Sequence, residues 1–135
     1  MTAPVRLLLD TNIVIHRLAP AESPTALSAL SIAELAHGVT AAVRAGNAAE
    51  VMTRGEDLAR VRAVYGDGIP FTGAMAEAYG QVIEVARATP GLGPRRLDYL
   101  IVATAVHHGM AFMTTDRGLA AFEALTEVVV VEPRR

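Results

Sequence analysis

The chain has no cysteine and no tryptophan, only three tyrosines and three phenylalanines, and not one lysine: all twelve of its basic residues are arginine. Without cysteine there is no disulfide, thiolate metal site or cysteine nucleophile, so any metal must be held by oxygen or imidazole. Without lysine there is no Schiff-base chemistry, no P-loop lysine and no lysine of the receiver-type phosphorylation site. So few aromatic rings argue against a surface that stacks nucleic-acid bases. No apolar stretch reaches the ~18 residues needed to span a bilayer, and the N-terminus lacks the basic-then-apolar pattern of a signal peptide. The expectation is an unexported protein of the cytoplasm with no membrane partner.

What is present is a chain of 135 residues with 52% hydrophobic content, about the size of one domain with a substantial core. A net charge of −2 exerts no global pull on a polyanion, so a nucleic-acid partner would need a local basic patch. Strand-like runs alternate with helix-like ones, the pattern of a parallel sheet covered by helices on both faces.

Val5 to Leu9 reads as the first strand, and Asp10 or Thr11 then caps a short helix carrying Ile13, Val14 and Leu18. Ala26 to Leu30 reads as the second strand. Ser31-Ile32-Ala33-Glu34 has the form of a capping box, which starts a helix at Ser31 that runs to Arg44. Gly46-Asn47 breaks it, and a second helix covers Ala48 to Tyr65 with Gly55 as a weak point, so about 39–65 forms a helical insertion. Ile69-Pro70-Phe71 is a brief edge strand, and Thr72 caps a helix with Met75, Tyr79, Val82, Ile83 and Ala86 on one face. Leu97 to Val106 is a largely buried helix ended by Gly109. A strand at Met110 to Met113, a short helix at Leu119 to Leu125, a buried strand at Val128 to Val131 and a frayed tail at Pro133-Arg134-Arg135 complete the chain.

Binding crevices of parallel α/β sheets lie beyond the C-terminal strand ends, where loops from separate strands meet. Asp10 and Asp116 stand at two such ends, Glu34 lies one turn into the helix after the second strand, and Asp98 is early in the buried helix before the Asp116 strand. Each acid alone has a structural explanation as a helix cap, a capping-box partner or a complement to a helix N-terminus. Together, carboxylates gathered at one sheet end repel one another, and a divalent cation relieves the repulsion. All-oxygen ligation suits Mg²⁺ or Mn²⁺, which retain water and share coordination with a substrate phosphate. Such a centre supports phosphodiester cleavage.

With these residues placed, the chain resembles the PIN-domain ribonucleases, specifically the VapC-type toxins of type II toxin–antitoxin pairs. The resemblance rests on Leu8-Leu9-Asp10-Thr11-Asn12, on Ser28 to Leu35, on Leu97-Asp98-Tyr99-Leu100-Ile101-Val102-Ala103-Thr104-Ala105 and on Met113-Thr114-Thr115-Asp116. It implies an α/β fold of one PIN-like domain over 1–135, with a central, mostly parallel sheet of four to five strands flanked by helices. It also implies Mg²⁺- or Mn²⁺-dependent endoribonuclease activity, a homodimer, and inhibition by a cognate VapB-type antitoxin in a groove formed partly by the helical insertion. Carried over residue by residue, Asp10, Glu34, Asp98 and Asp116 become the catalytic, metal-holding acids. Thr11, Asn12 and Thr114 become the polar groups that orient them or a water on the metal. Thr115 and Gly118 depart from the family, which often has a basic residue and a further acid there.

Arg95 and Arg96 precede the Asp98 helix at the end where its dipole disfavours cations, and with Arg117 they are candidates for holding an RNA backbone. His107 and His108 read as helix-end residues, His16 and His37 lack the spacing of a zinc motif, and Tyr79 and Tyr99 read as core or rim. Two other functions fit part of the pattern. One is a PIN-like module that binds RNA or protein without cutting. The other is a phosphotransfer domain with Asp10 as nucleophile, which the missing lysine and Asn12, where a haloacid dehalogenase pattern wants a second Asp, weaken.

Overall fold

The computed structural model describes residues 6–133. Val5, the expected start of the first strand, and Arg134 and Arg135 of the expected tail lie outside these residues.

Among the described residues, four strands form one parallel sheet: β1 (Leu7–Leu9), β2 (Thr25–Leu27), β3 (Ala111–Thr114) and β4 (Val128–Val130). Their order is β2-β1-β3-β4, so β1 is central and the chain crosses from one side of it to the other between β2 and β3. That reversal opens a crevice beyond the C-terminal end of β1. The expected fifth strand contracts to a single bridge between Ile69 and Ser28. Ile69 exchanges hydrogen bonds with Leu27 and Ala29, while Pro70, which follows, has no amide proton to extend the pairing.

Among the described residues, five α-helices flank the sheet: α1 (Thr11–Ile15), α2 (Ala29–Arg44), α3 (Ala48–Tyr65), α4 (Ala76–Arg87) and α5 (Arg96–His108). Side chains on β1 alternate between two cores, as its pleat demands. Leu8, wholly buried, joins Ala26 and Phe112 against Val82, Ile101 and Phe122 on the α4 and α5 side. Leu9 joins Leu27 and Met113 against Ile13, Ile32 and Val61 on the α1, α2 and α3 side. Full burial of one such leucine contributes roughly 1.5–3 kcal/mol, so a one-residue slip of β1 would forfeit both cores.

Several helix starts differ from expectation. The cap of α2 is Ser28, whose Oγ accepts from the Leu30 amide at 3.0 Å, because β2 ends at Leu27 and the chain turns at once. Ser31 is therefore not a cap but a fully buried residue inside the helix. The helix α1 ends at Ile15, since Arg17 takes a left-handed conformation (φ 55°); Leu18 lies beyond it, its amide bonded to the Ile13 carbonyl. Thr72 makes no side-chain cap bond and leads into a 3₁₀ turn, Gly73–Met75, before α4. The helix expected at Leu119 to Leu125 is a 3₁₀ helix, Arg117–Ala124. The last strand is half-buried rather than buried, as its edge position allows. Gly55 leaves α3 unbroken, and Gly109 ends α5 in the left-handed conformation. Among the described residues, no helix is long and apolar enough to cross a membrane.

Candidate functional site

The register places Leu8 beside Phe112, so two residues further along Asp10 and Thr114 stand side by side on the face that carries α5. Asp10 is buried and is also the N-cap of α1, its Oδ1 accepting from the Thr11 amide at 2.8 Å. Its Oδ2 accepts from Thr114 Oγ1 at 2.8 Å and from the Asn12 side-chain amide at 3.3 Å. Asn12 in turn accepts from the Thr115 amide at 3.2 Å, which fastens the start of α1 to the end of β3. Thr114 also accepts from the Asp116 amide at 3.0 Å, so one hydroxyl positions both acids.

Across the crevice, Thr11 Oγ1 lies 2.6 Å from Glu34 Oε1 and 2.9 Å from Ser31 Oγ. A hydroxyl has one proton, and a carboxylate only accepts, so Thr11 donates to Glu34 and Ser31 donates to Thr11. Ser31 thus belongs to the site through Thr11, a role that its capping-box form disguised. Its spacing carries the signal, because residues i and i+3 share a helix face and place the Ser31 hydroxyl near the acid at position 34.

Asp98 sits in the first turn of α5. Its carboxyl is pushed up to about 6, first by burial, then by the negative charges of Asp10 and Glu34, with Asp116 adding a smaller push and Arg95 pulling the other way. Burial likewise raises Asp10, against the hydrogen bonds from Thr114, Thr11 and Asn12 and with a further push from Asp116. The four acids therefore share one electrostatic neighbourhood.

Asp116 caps the 3₁₀ helix through Oδ1, which accepts from the Gly118 amide at 2.9 Å, and its Oδ2 accepts from the Arg95 guanidinium. Among the described residues no three carboxylates or imidazoles are gathered closely enough to cage an ion as they stand. The donor set nonetheless fits Mg²⁺ or Mn²⁺, which take one or two carboxylates directly and fill the remaining positions with water. What favours such an ion is the mutual repulsion felt at Asp98.

The three arginines part company. Only Arg95 reaches the acids; Arg117 pairs with Glu132, and Arg96 lines a separate cleft of about 600 Å³ with Tyr79, Ile83 and Arg87. His107 and His108 close α5 and stack edge to face, while Tyr99 is buried and donates to the Gly93 carbonyl.

Fold and site together define an α/β protein with a carboxylate-centred crevice at the switch point of a parallel sheet. The PIN domain profile matches residues 7–125, and the chain belongs to the PIN domain family. It is similar to VapBC-5 from Mycobacterium tuberculosis, of the VapBC family of toxin–antitoxin systems (TM-score 0.75, 27% identity, 95% of this chain and 100% of that one). It is also similar to FitAcB from Neisseria gonorrhoeae (TM-score 0.69, 27% identity, 91% and 96%). VapBC2 from Rickettsia felis, bound to a promoter DNA fragment, shares the fold at 18% identity (TM-score 0.68, 94% and 98%). No curated protein sequence matches the chain.

Proposed function

We propose that this chain is the toxin of a toxin–antitoxin pair and a Mg²⁺- or Mn²⁺-dependent endoribonuclease of the cytoplasm. The observation that carries the proposal is the convergence of Asp10, Glu34, Asp98 and Asp116, from four separate strand or helix ends, on one crevice in which Asp98 feels the other three charges. When bound, a divalent ion supplies activation of water and stabilisation of charge on the phosphate. The chain's own residues do the holding. Thr114 and Asn12 fix the Asp10 carboxylate, Thr11 with Ser31 behind it fixes Glu34, and Arg95, which borders the acids, meets the phosphate backbone.

The antitoxin reading has its own support. A cleft of about 460 Å³ between α1, α2 and α3 opens beside Thr11 and Glu34, lined by Ile15, Leu35, Glu50 and Asp57. Its acids Glu50 and Asp57 are already paired with Arg54 and with Arg60 and Arg17, so what the cleft offers a partner is its apolar floor, where Ile15, 48% exposed, lies uncovered and suits the apolar face of an amphipathic segment. In this reading the toxin is a homodimer, and the antitoxin bound in that cleft inhibits it.

Brief expression followed by sequencing of RNA fragments tests the proposal. Cleavage at defined sites by the native chain, absent with Asp98→Asn and suppressed by co-expression of a small protein encoded beside it, is the expected result. An identical fragment pattern from Asp98→Asn would overturn it.

A further inference from the structure

Arg95 occupies the N-cap position of α5 without making a side-chain cap bond, at the helix end where a positive charge is unfavourable. Its stabilisation comes from elsewhere. The guanidinium reaches across to β3's end and donates to Asp116 Oδ2, with both side chains about one-third exposed (34% each). Among the described residues it is the only basic side chain in an ion pair with any of the four acids. The other oxygen of Asp116 is taken by the Gly118 amide, so both oxygens of this carboxylate are engaged from within the chain. Asp10, by contrast, is held only by neutral donors.

We propose that Arg95 is the resident counter-cation of the acidic crevice, bound to Asp116 while no divalent ion is present and giving Asp116 up when one enters. The inference rests on the metal-dependent reading above. A guanidinium and a divalent ion on the same carboxylate oxygen repel each other, so one leaves as the other arrives. Once released, the planar fork of Arg95 is free to meet a phosphate, which orders the events: metal first, substrate backbone second.

Isothermal calorimetry with Mn²⁺ alone, at pH 7.5, on the full chain tests the exchange. Arg95→Gln is expected to bind Mn²⁺ about three- to tenfold more tightly, the range that a partly exposed ion pair of this kind allows. Arg95→Lys should remain near the native affinity, and in an Asp116→Asn background Arg95→Gln should bring no gain, because the contested carboxylate is gone. Thermal melting gives a second readout. With chelator, Arg95→Gln melts below the native chain; with saturating Mn²⁺ the gap closes, since the ion restores the missing charge.

Native binding of Mn²⁺ with equal or weaker binding by Arg95→Gln would overturn the exchange while leaving the metal-dependent reading intact. So would a melting deficit that is the same with and without Mn²⁺, the mark of a merely structural ion pair. Absence of Mn²⁺ binding by native and variant chains alike would overturn both.

Discussion

Thr114 Oγ1 donates to Asp10 Oδ2 across 2.8 Å and accepts from the Asp116 amide across 3.0 Å, so the last residue of β3 ties two acids from adjacent strands into one frame. It is completely buried, and no water replaces its bonds when they are removed. Thr114→Val keeps the shape, strands the Asp116 amide and weakens the hold on Asp10. A loss of about 1–3 kcal/mol is expected in urea unfolding, with most of it recovered in Thr114→Ser. Equal stability of the valine and native chains would remove this frame from the account.

The Thr11–Glu34 bond, at 2.6 Å, makes a sharper distinction. In Thr11→Val the glutamate loses its donor and Ser31 loses its acceptor, so the carboxylate is freed to rotate. In Ser31→Ala the Thr11–Glu34 bond survives. Cleavage should therefore fall at least tenfold in Thr11→Val and by less than threefold in Ser31→Ala, while the two lose comparable stability of about 1 kcal/mol. Equal losses of activity would contradict the ordering of the two hydroxyls.

Asp98 makes stability fall with rising pH in the absence of metal. Its folded-state carboxyl is pushed up to about 6, whereas an unfolded Asp titrates near ~3.9. Between these values the folded chain keeps a proton that the unfolded chain has released. The stability from this group is thus fully present below about pH 4 and lost as pH rises through about 6. With chelator at pH 7.5, Asp98→Asn should melt a few degrees above the native chain, and the difference should vanish near pH 4. Mg²⁺ should raise the melting temperature of the native chain and leave that of Asp98→Asn nearly unmoved. A pH-independent difference between the two would contradict the placement of Asp98 among like charges.

Gly68 supports the site from below. It has φ +76°, and a Cβ there would lie 2.7 Å from the Ala29 amide nitrogen, at the start of the helix that carries Ser31 and Glu34. Gly66 has φ +62° with open space around it. Gly66, with ψ −128°, lies outside the left-handed helical region, so Gly66→Ala should cost about 1–3 kcal/mol in urea unfolding for the backbone alone. Gly68→Ala should cost more, because the backbone of Ala29 must move as well. Similar costs would show that the approach of Gly68 to α2 is not tight.

How much of this was legible in sequence depends on what each feature rests upon. The apolar run stopping at Asp10, the αL glycine at 109 and the long apolar Asp98 helix are local patterns, and the fold has all three. The fifth strand and the Ser31 cap went the other way, because each was decided by a neighbour. Pro70 cannot extend a ladder, and Ser28 captured the helix end before Ser31 could. The three arginines show the same limit. Nothing in Arg95-Arg96 says that the first turns to Asp116 and the second to a cleft beside α4; helix geometry separates consecutive residues by about 100° only after the helix exists. The position of each acid after a strand or early in a helix was legible, whereas the hydrogen bonds from Thr114, Thr11 and Ser31 span the sheet and required the register to be known.

In the proposed function the four acids act together through a divalent ion on RNA. Its most direct measurement is cleavage of RNA by purified protein in Mg²⁺ or Mn²⁺, with and without chelator, for the native chain, Asp10→Asn and Asp98→Asn, each verified as folded by circular dichroism. Cleavage by the native chain that chelator abolishes, with a loss of at least a hundredfold in both variants, is the expected result. Full activity in chelator, or native-level cleavage by either variant, would contradict it, and a folded native chain that binds RNA without cutting it would assign the crevice to a binding module instead.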